Sequence, residues 1–177
     1  MTRIELGKAI YETSNIKGEF LLRSGEIAGE YFDKYLFESK PKILAEIAIQ
    51  MSLLVGDGFD LLAGLEMGGI PIATALSLKT GKGVIFVRKE AKKYGTCKLA
   101  EGDDVKGKRV AIIEDVVTSG GAVIEAVEAL RVRGAIVENV YCVIDREGTG
   151  RKNIEALDLK FYPLFSKSEL EDYARVK

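Results

Sequence analysis

The sequence predicts an α/β fold in which a parallel sheet is flanked by helices. Three features predict it. Short runs such as LLAGL, GVIFV and VAIIE are apolar throughout or nearly so, as strands covered on both faces are. Between them lie stretches with apolar residues at helical spacing, for example Val123, Val127 and Leu130. Glycines, hydroxyls and charges gather where those strands end.

Residues 2–13 read as a short amphipathic helix, and GEFLLRSG as a strand entering a turn at Ser24 and Gly25. Pro41 opens a helix, where a first-turn proline sacrifices no hydrogen bond. KILAEIAIQMSLLV continues it until Gly56. FDLLAGL is a strand, EMGG its loop and IPIATALSLKT a helix with Pro71 near its start; GVIFV is the next strand. The long polar segment RKEAKKYGTCKLAEGDDVKGK leads to strand RVAIIE, loop DVVTSGG and helix AVIEAVEALRVR, which Gly134 closes. VENVYCVID and the weaker LKFYPLF complete the sheet, and Ser166 with Glu169 forms a capping box for a last helix. The 177 residues read as one domain, with residues 1–40 an N-terminal extension and 41–177 the sheet core.

With 47% hydrophobic and 30% charged residues, a full core is possible without metal or disulfide staples. A net charge of −1 provides no basic field for nucleic acid. There is no histidine, and Cys97 and Cys142 lack metal-ligand spacing, so neither an imidazole base nor a zinc site is expected. Unpaired thiols, an N-terminus charged too early for a signal core, and no apolar run of roughly 20 residues point to the cytoplasm and no membrane.

Sheets of this kind bind ligands at the carboxyl ends of their strands. That rule singles out loops 66–69, 88–102, 115–121 and 145–150. In the third, Glu114 and Asp115 precede Thr118, Ser119, Gly120 and Gly121, and a core helix follows. A helix N-terminus presents free N–H groups, the glycines permit close approach and the hydroxyls add donors, so the loop predicts a phosphate cradle. Ala122 stands where a P-loop needs lysine, which favours one phosphate monoester over a triphosphate. The acids would repel that phosphate but suit sugar hydroxyls, a developing cation or Mg2+. A ribose 5-phosphate satisfies both halves.

The run VAIIEDVVTSGGAV resembles the signature of the type I phosphoribosyltransferases, which bind phosphoribosyl pyrophosphate (PRPP). The resemblance implies their Rossmann-like parallel-sheet fold with a small N-terminal hood. VRKEAKKYGT resembles the mobile catalytic loop of the orotate phosphoribosyltransferases: Arg88, Lys89, Lys92 and Gly95 match, while Lys93 and Tyr94 replace an acid and a common histidine. LLRSGEIAGEYFD resembles the hood at Ser24, Gly25, Tyr31 and Asp33, with Ala28 and Glu30 departing from it. GLEMGGIP resembles the short pyrophosphate-contacting loop, with Gly68 and Gly69 present either for phosphate approach or for packing.

The resemblance implies transfer of ribose 5-phosphate from PRPP to orotate, giving orotidine 5′-monophosphate and pyrophosphate for pyrimidine (UMP) biosynthesis. It implies that Glu114 and Asp115 hold the ribose and favour positive charge at C1. Residues Val116, Val117, Thr118, Ser119, Gly120, Gly121 and Ala122 would seat the 5-phosphate. Arg88, Lys89 and Lys92 would bind pyrophosphate, with Lys92 entering on lid closure and Tyr94 adding a hydrogen bond. Thr118 and Arg146 would contact orotate; an arginine at that edge suits bidentate capture of a carboxylate. Mg2+ would bind mainly through PRPP, with no direct protein ligand. The resemblance further implies a homodimer whose loops complete the partner's sites. The other readings are a phosphoribosyltransferase for a purine or uracil, and a non-enzymatic PRPP sensor.

Overall fold

The structure, a computed structural model, describes residues 1–21, 25–89 and 99–175. The Thr2 hydroxyl accepts from the Glu5 amide, and the Glu5 carboxylate accepts from the Thr2 amide, starting α1 (Arg3–Ser14). The chain then forms an antiparallel hairpin of β1 (Asn15–Leu21) and β2 (Ile27–Phe32). Asp33 caps α2 (Lys34–Glu38) by accepting from the Tyr35 amide at 3.0 Å. Sequence patterning predicts one strand here and no helix. The hairpin is mostly exposed, so it lacks the apolar run of a buried strand, and α2 is too short to display a period.

α3 (Pro41–Val55) has proline in its first turn and stops at Gly56, whose φ is 62°. Next come β3 (Leu61–Leu65), α4 (Gly69–Thr80), β4 (Gly83–Val87), β5 (Ala100–Glu101) and β6 (Arg109–Val117). α5 (Gly121–Val132), β7 (Ile136–Asp145), α6 (Gly150–Glu155), β8 (Lys160–Ser166) and α7 (Lys167–Arg175) complete the chain. The expected capping box at α7 is present: the Ser166 amide donates to Glu169 and the Glu169 amide to the Ser166 hydroxyl, at 2.8 and 3.1 Å.

The main sheet has the order β5-β4-β3-β6-β7-β8. Its strands are parallel except β5, which pairs antiparallel with β4 at the edge. The parallel sheet is the one expected; the edge strand β5 adds to it, two residues inside a polar segment that carry no strand signal. Side chains alternate across the sheet. Ala63, Ile85, Ile112 and Val140 pack with Val123, Val127 and Leu130 of α5. Leu62, Ala111, Ile113 and Val143 pack on the opposite face with residues of α1, α3 and α4.

β6 is longer than the sequence suggests. Val116 and Val117 keep pairing with Ile144 and Asp145, as β-branched residues favour. The loop expected over 115–121 is therefore shortened, and both acids sit in the last turns of the pleat beside the N-terminus of α5.

Candidate active site

At the carboxyl ends of β3, β4 and β6 lies a cleft of about 390 Å³, lined among others by Glu66, Arg88, Lys89, Glu114, Asp115 and Ala122. Its size suits a small-molecule ligand. Glu114 and Asp115 are both buried, at 7% and 0% exposure. The Asp115 amide donates to Glu114 at 2.8 Å. Buried charges need partners, and Asp115 has one: the Lys34 ammonium of α2 lies 2.5 Å from its Oδ2. Burial works against that ammonium, but the hydrogen bond and charge of Asp115 outweigh it and raise the Lys34 pKa.

Two further carboxyls surround this pair. Burial, then the hydrogen bond and charge of Asp115, push Glu114 well above the carboxylate range. Glu38, also buried, is pushed up to about 8 by burial and by the charge of Asp115. Gly68 makes the arrangement possible. A Cβ there would lie 1.6 Å from Asp115 Oδ2 and 2.8 Å from Glu38 Oε1. At Gly69 a Cβ would meet the Ile113 carbonyl at 2.4 Å. Of the two explanations for this glycine pair, packing against β6 and its acid is the one that the geometry carries.

On the other side of the acids, Gly120 turns the chain with φ 79° and α5 begins at Gly121 without a side-chain cap. Its first amides thus have no partner within the helix. α6 braces this turn from behind: the Gly150 amide donates to the Thr118 carbonyl at 2.9 Å and the Asn153 amide group to the Ser119 carbonyl at 3.0 Å. A Cβ at Gly121 would meet only the Ser119 hydroxyl, at 3.9 Å, so the space above it is open. Val116 lines the same cleft, one residue after the acids. Val117 is core, and its carbonyl accepts from the Arg146 amide at 2.9 Å, because β6 continues through it. Gly121→Ala is therefore expected to leave the thermal midpoint unchanged while raising KM for PRPP at least about tenfold, the loss of one charge-assisted hydrogen bond; melting curves and initial rates check it.

The basic strand end is assembled as expected at Arg88 and Lys89. Arg88 lies 3.6 Å from Glu101, and the Lys89 amide donates to Glu66 at 3.2 Å. Lys92, Lys93, Tyr94 and Gly95 of the expected lid, and Ser24 of the hood, lie outside the described residues.

A second cleft, about 200 Å³, opens between the hairpin and α7, with Ala28, Tyr31, Phe32, Ile144 and Arg146 among its walls. Val116 lines both clefts and so joins them. Glu147 does not pair with Arg146. It instead accepts from the Ser168 amide and hydroxyl, each at 2.8 Å, which leaves the exposed guanidinium to the cleft. Thr118, expected near the same ligand, is exposed at the end of β6 and is not among this cleft's lining residues.

The phosphoribosyl transferase domain family matches residues 37–167. An orotate phosphoribosyltransferase from Nocardioides sp. is 54% identical over 156 residues, covering 88% of this chain and 87% of that protein. The chain belongs to the orotate phosphoribosyltransferase family. Among solved structures, the orotate phosphoribosyltransferase of Mycobacterium tuberculosis H37Rv in complex with Fe(III) dicitrate superposes with a TM-score of 0.87 at 32% identity, covering 95% of this chain and 98% of that one. The same mycobacterial protein in complex with PRPP gives 0.82 at 28% identity, covering 96% and 98%. The fold is thus the type I phosphoribosyltransferase fold, a mostly parallel sheet flanked by helices.

Sequence reasoning misses two residues that surround Asp115, Lys34 and Glu38. They come from a helix too short to be read, and they reach Asp115 only through the tertiary fold. The one local signal is Asp33, a capping residue directly before Lys34.

Proposed function

We propose that the chain transfers the 5-phosphoribosyl group of PRPP to the ring nitrogen of orotate, releasing pyrophosphate and forming orotidine 5′-monophosphate for pyrimidine synthesis. The observation that carries this reading is the pair of joined clefts. One has acids at its centre, an uncapped helix start at one side and Arg88 and Lys89 at the other. The second offers Arg146 for a ring carboxylate.

In this reading the amides opening α5 hold the 5-phosphate, where the helix dipole favours an anion. The ribose lies over Glu114 and Asp115. As the C1–oxygen bond breaks, the electron pair leaves with pyrophosphate and C1 becomes electron-poor; the orotate nitrogen bonds to C1 and its proton passes to the departing pyrophosphate. Arg88, Lys89 and, from the sequence, Lys92 draw off the leaving group's charge. Glu114 and Asp115 have different parts. Asp115, paired with Lys34, carries the negative charge that favours a cationic C1. Glu114, whose burial favours its protonated form, serves as a hydrogen-bond donor to a ribose oxygen. No covalent nucleophile is needed, so positioning and electrostatics supply the rate.

Mg2+ fits as a passenger on the donor. Pyrophosphate offers the hard oxygens that Mg2+ prefers. Bound there, it would neutralise the leaving group. We also propose a homodimer in which the 88–102 loop completes the partner's site, which rests on the sequence resemblance, and a cytoplasmic location, which rests on the unpaired thiols expected from the sequence. Among the described residues no helix is long and apolar enough to cross a membrane.

The test is pyrophosphate release with PRPP, Mg2+ and a panel of orotate, uracil, hypoxanthine and xanthine. Orotate alone should support turnover, and Arg146→Leu should lower kcat/KM for orotate about 10- to 100-fold, the loss of charge-assisted bonds to one carboxylate. Equal turnover with uracil would contradict the assignment.

A further inference from the structure

The reaction requires Asp115 to meet the ribose as an oriented anion, yet Asp115 has no exposure to water. Something within the fold must hold both its charge and its rotamer. Two residues one turn apart on α2 are placed to do so. Lys34 ends 2.5 Å from Asp115 Oδ2, and it keeps 33% side-chain exposure because it also lines the donor cleft. Glu38 comes from below. Its Oε1 and Asp115 Oδ2 converge on the space that Gly68 leaves empty.

We propose that Lys34 and Glu38 are positioning residues for Asp115, clamping its carboxylate over Gly68 in the orientation that meets the donor's ribose. This inference rests on the phosphoribosyl-transfer reading above. Lys34 supplies the opposite charge beside the buried Asp115 carboxyl. Glu38 fills the remaining side, and two carboxyls this close are compatible when one keeps its proton.

The charged groups around the clamp agree with that division. Glu38 faces Asp115 of β6 and Lys34 and Asp33 of α2. Lys34 faces Asp115 and Glu114 of β6 and Tyr35 of its own helix. Gly68, the residue just before α4, has no charge. The proton-bearing form of Glu38 is therefore the one the folded protein favours near neutrality. Its pKa is raised on folding, so this contribution is complete below the ordinary carboxylate range and is lost as pH rises through about 8.

The clamp also explains why α2 follows the hairpin without a linker. Tyr31 and Phe32 line the acceptor cleft, Asp33 caps α2, and Lys34 grips the donor acid. The two halves of the site are one continuous piece of chain.

The test compares wild type, Lys34→Met, Lys34→Arg, Glu38→Ala and Glu38→Gln by steady-state kinetics across pH, with thermal melting of each. Lys34→Met should lower kcat about tenfold or more, leave KM for orotate within about twofold, and move the acid limb of the pH–rate profile upward. Lys34→Arg should recover most of the loss, since it keeps the charge. Glu38→Gln should recover most of what Glu38→Ala loses, and its melting temperature should fall less than wild type's between about pH 6 and pH 9. Wild-type kcat and pH profile in Lys34→Met, or Lys34→Arg and Lys34→Met equally impaired while both melt as wild type does, would overturn the proposal. If wild type itself releases no pyrophosphate with orotate, the functional reading fails instead, so the two failures are distinguishable.

Discussion

Gly68→Ala is expected to lower kcat/KM for PRPP by about 100-fold, the scale on which a misplacement of about 1 Å acts. The added methyl group would sit 1.6 Å from Asp115 Oδ2, a distance no pair of unbonded atoms tolerates. The backbone can yield little, because adjacent Gly69 is already pressed to the Ile113 carbonyl. What can yield is the Asp115 side chain, by rotating off Lys34. The damage should therefore reach the ribose site before it reaches the fold. Overpacking of this kind costs about 1–3 kcal/mol of stability, which a domain of this size tolerates. Steady-state kinetics with a parallel melting curve checks both halves. A variant that melts well below wild type yet keeps full kcat/KM would show that Gly68 serves packing alone.

Asp115→Asn should have the larger effect, about a 1,000-fold loss in kcat. Removing one preorganised electrostatic contact in an active site costs about 100- to 1,000-fold, and here the lost group is also the partner of Lys34. The amide keeps the shape and the hydrogen bond from the Val116 amide but not the charge. Breaking a fully buried ion pair costs about 3–5 kcal/mol. Lys34 retains 33% of its side-chain exposure and can turn toward solvent, so the stability loss should fall below that range. Because Gly68→Ala acts through the same carboxylate, the double variant should be little worse than Asp115→Asn by itself. Multiplying losses in the double-mutant cycle would mean that Gly68 acts on something other than Asp115.

The sheet was legible because its strands are buried on both faces. LLAGL and VAIIE admit no amphipathic alternative, and each ends where glycine or charge begins. The cradle was legible for the same reason: TSGG follows a strand and precedes a helix whose apolar stripe fixes its direction. The five-residue α2 and the two-residue β5 were not legible, since neither spans enough chain to show a period and neither has the apolar run that marks the equally short β3 and β4. Nor was the end of β6, where continuation depends on a neighbouring strand being in register. At the site, sequence identifies Glu114 and Asp115 but says nothing of what neutralises them. The Lys34 ion pair depends on how the hairpin delivers α2 to β6, which no local pattern encodes. It also leaves open what Gly68 and Gly69 are for; only the carboxylate and carbonyl atoms facing them decide that.

The central claim is that PRPP spans one cleft, with its 5-phosphate at the start of α5 and its ribose over the acids. A crystal structure of the protein with PRPP and Mg2+ tests it most directly. The account predicts phosphate oxygens within about 2.7–3.2 Å of the amides of residues 119–122, and ribose hydroxyls at the same range from Glu114 and Asp115. Donor density lying elsewhere, with the Gly121 amide and both carboxyls out of contact with it, would contradict it.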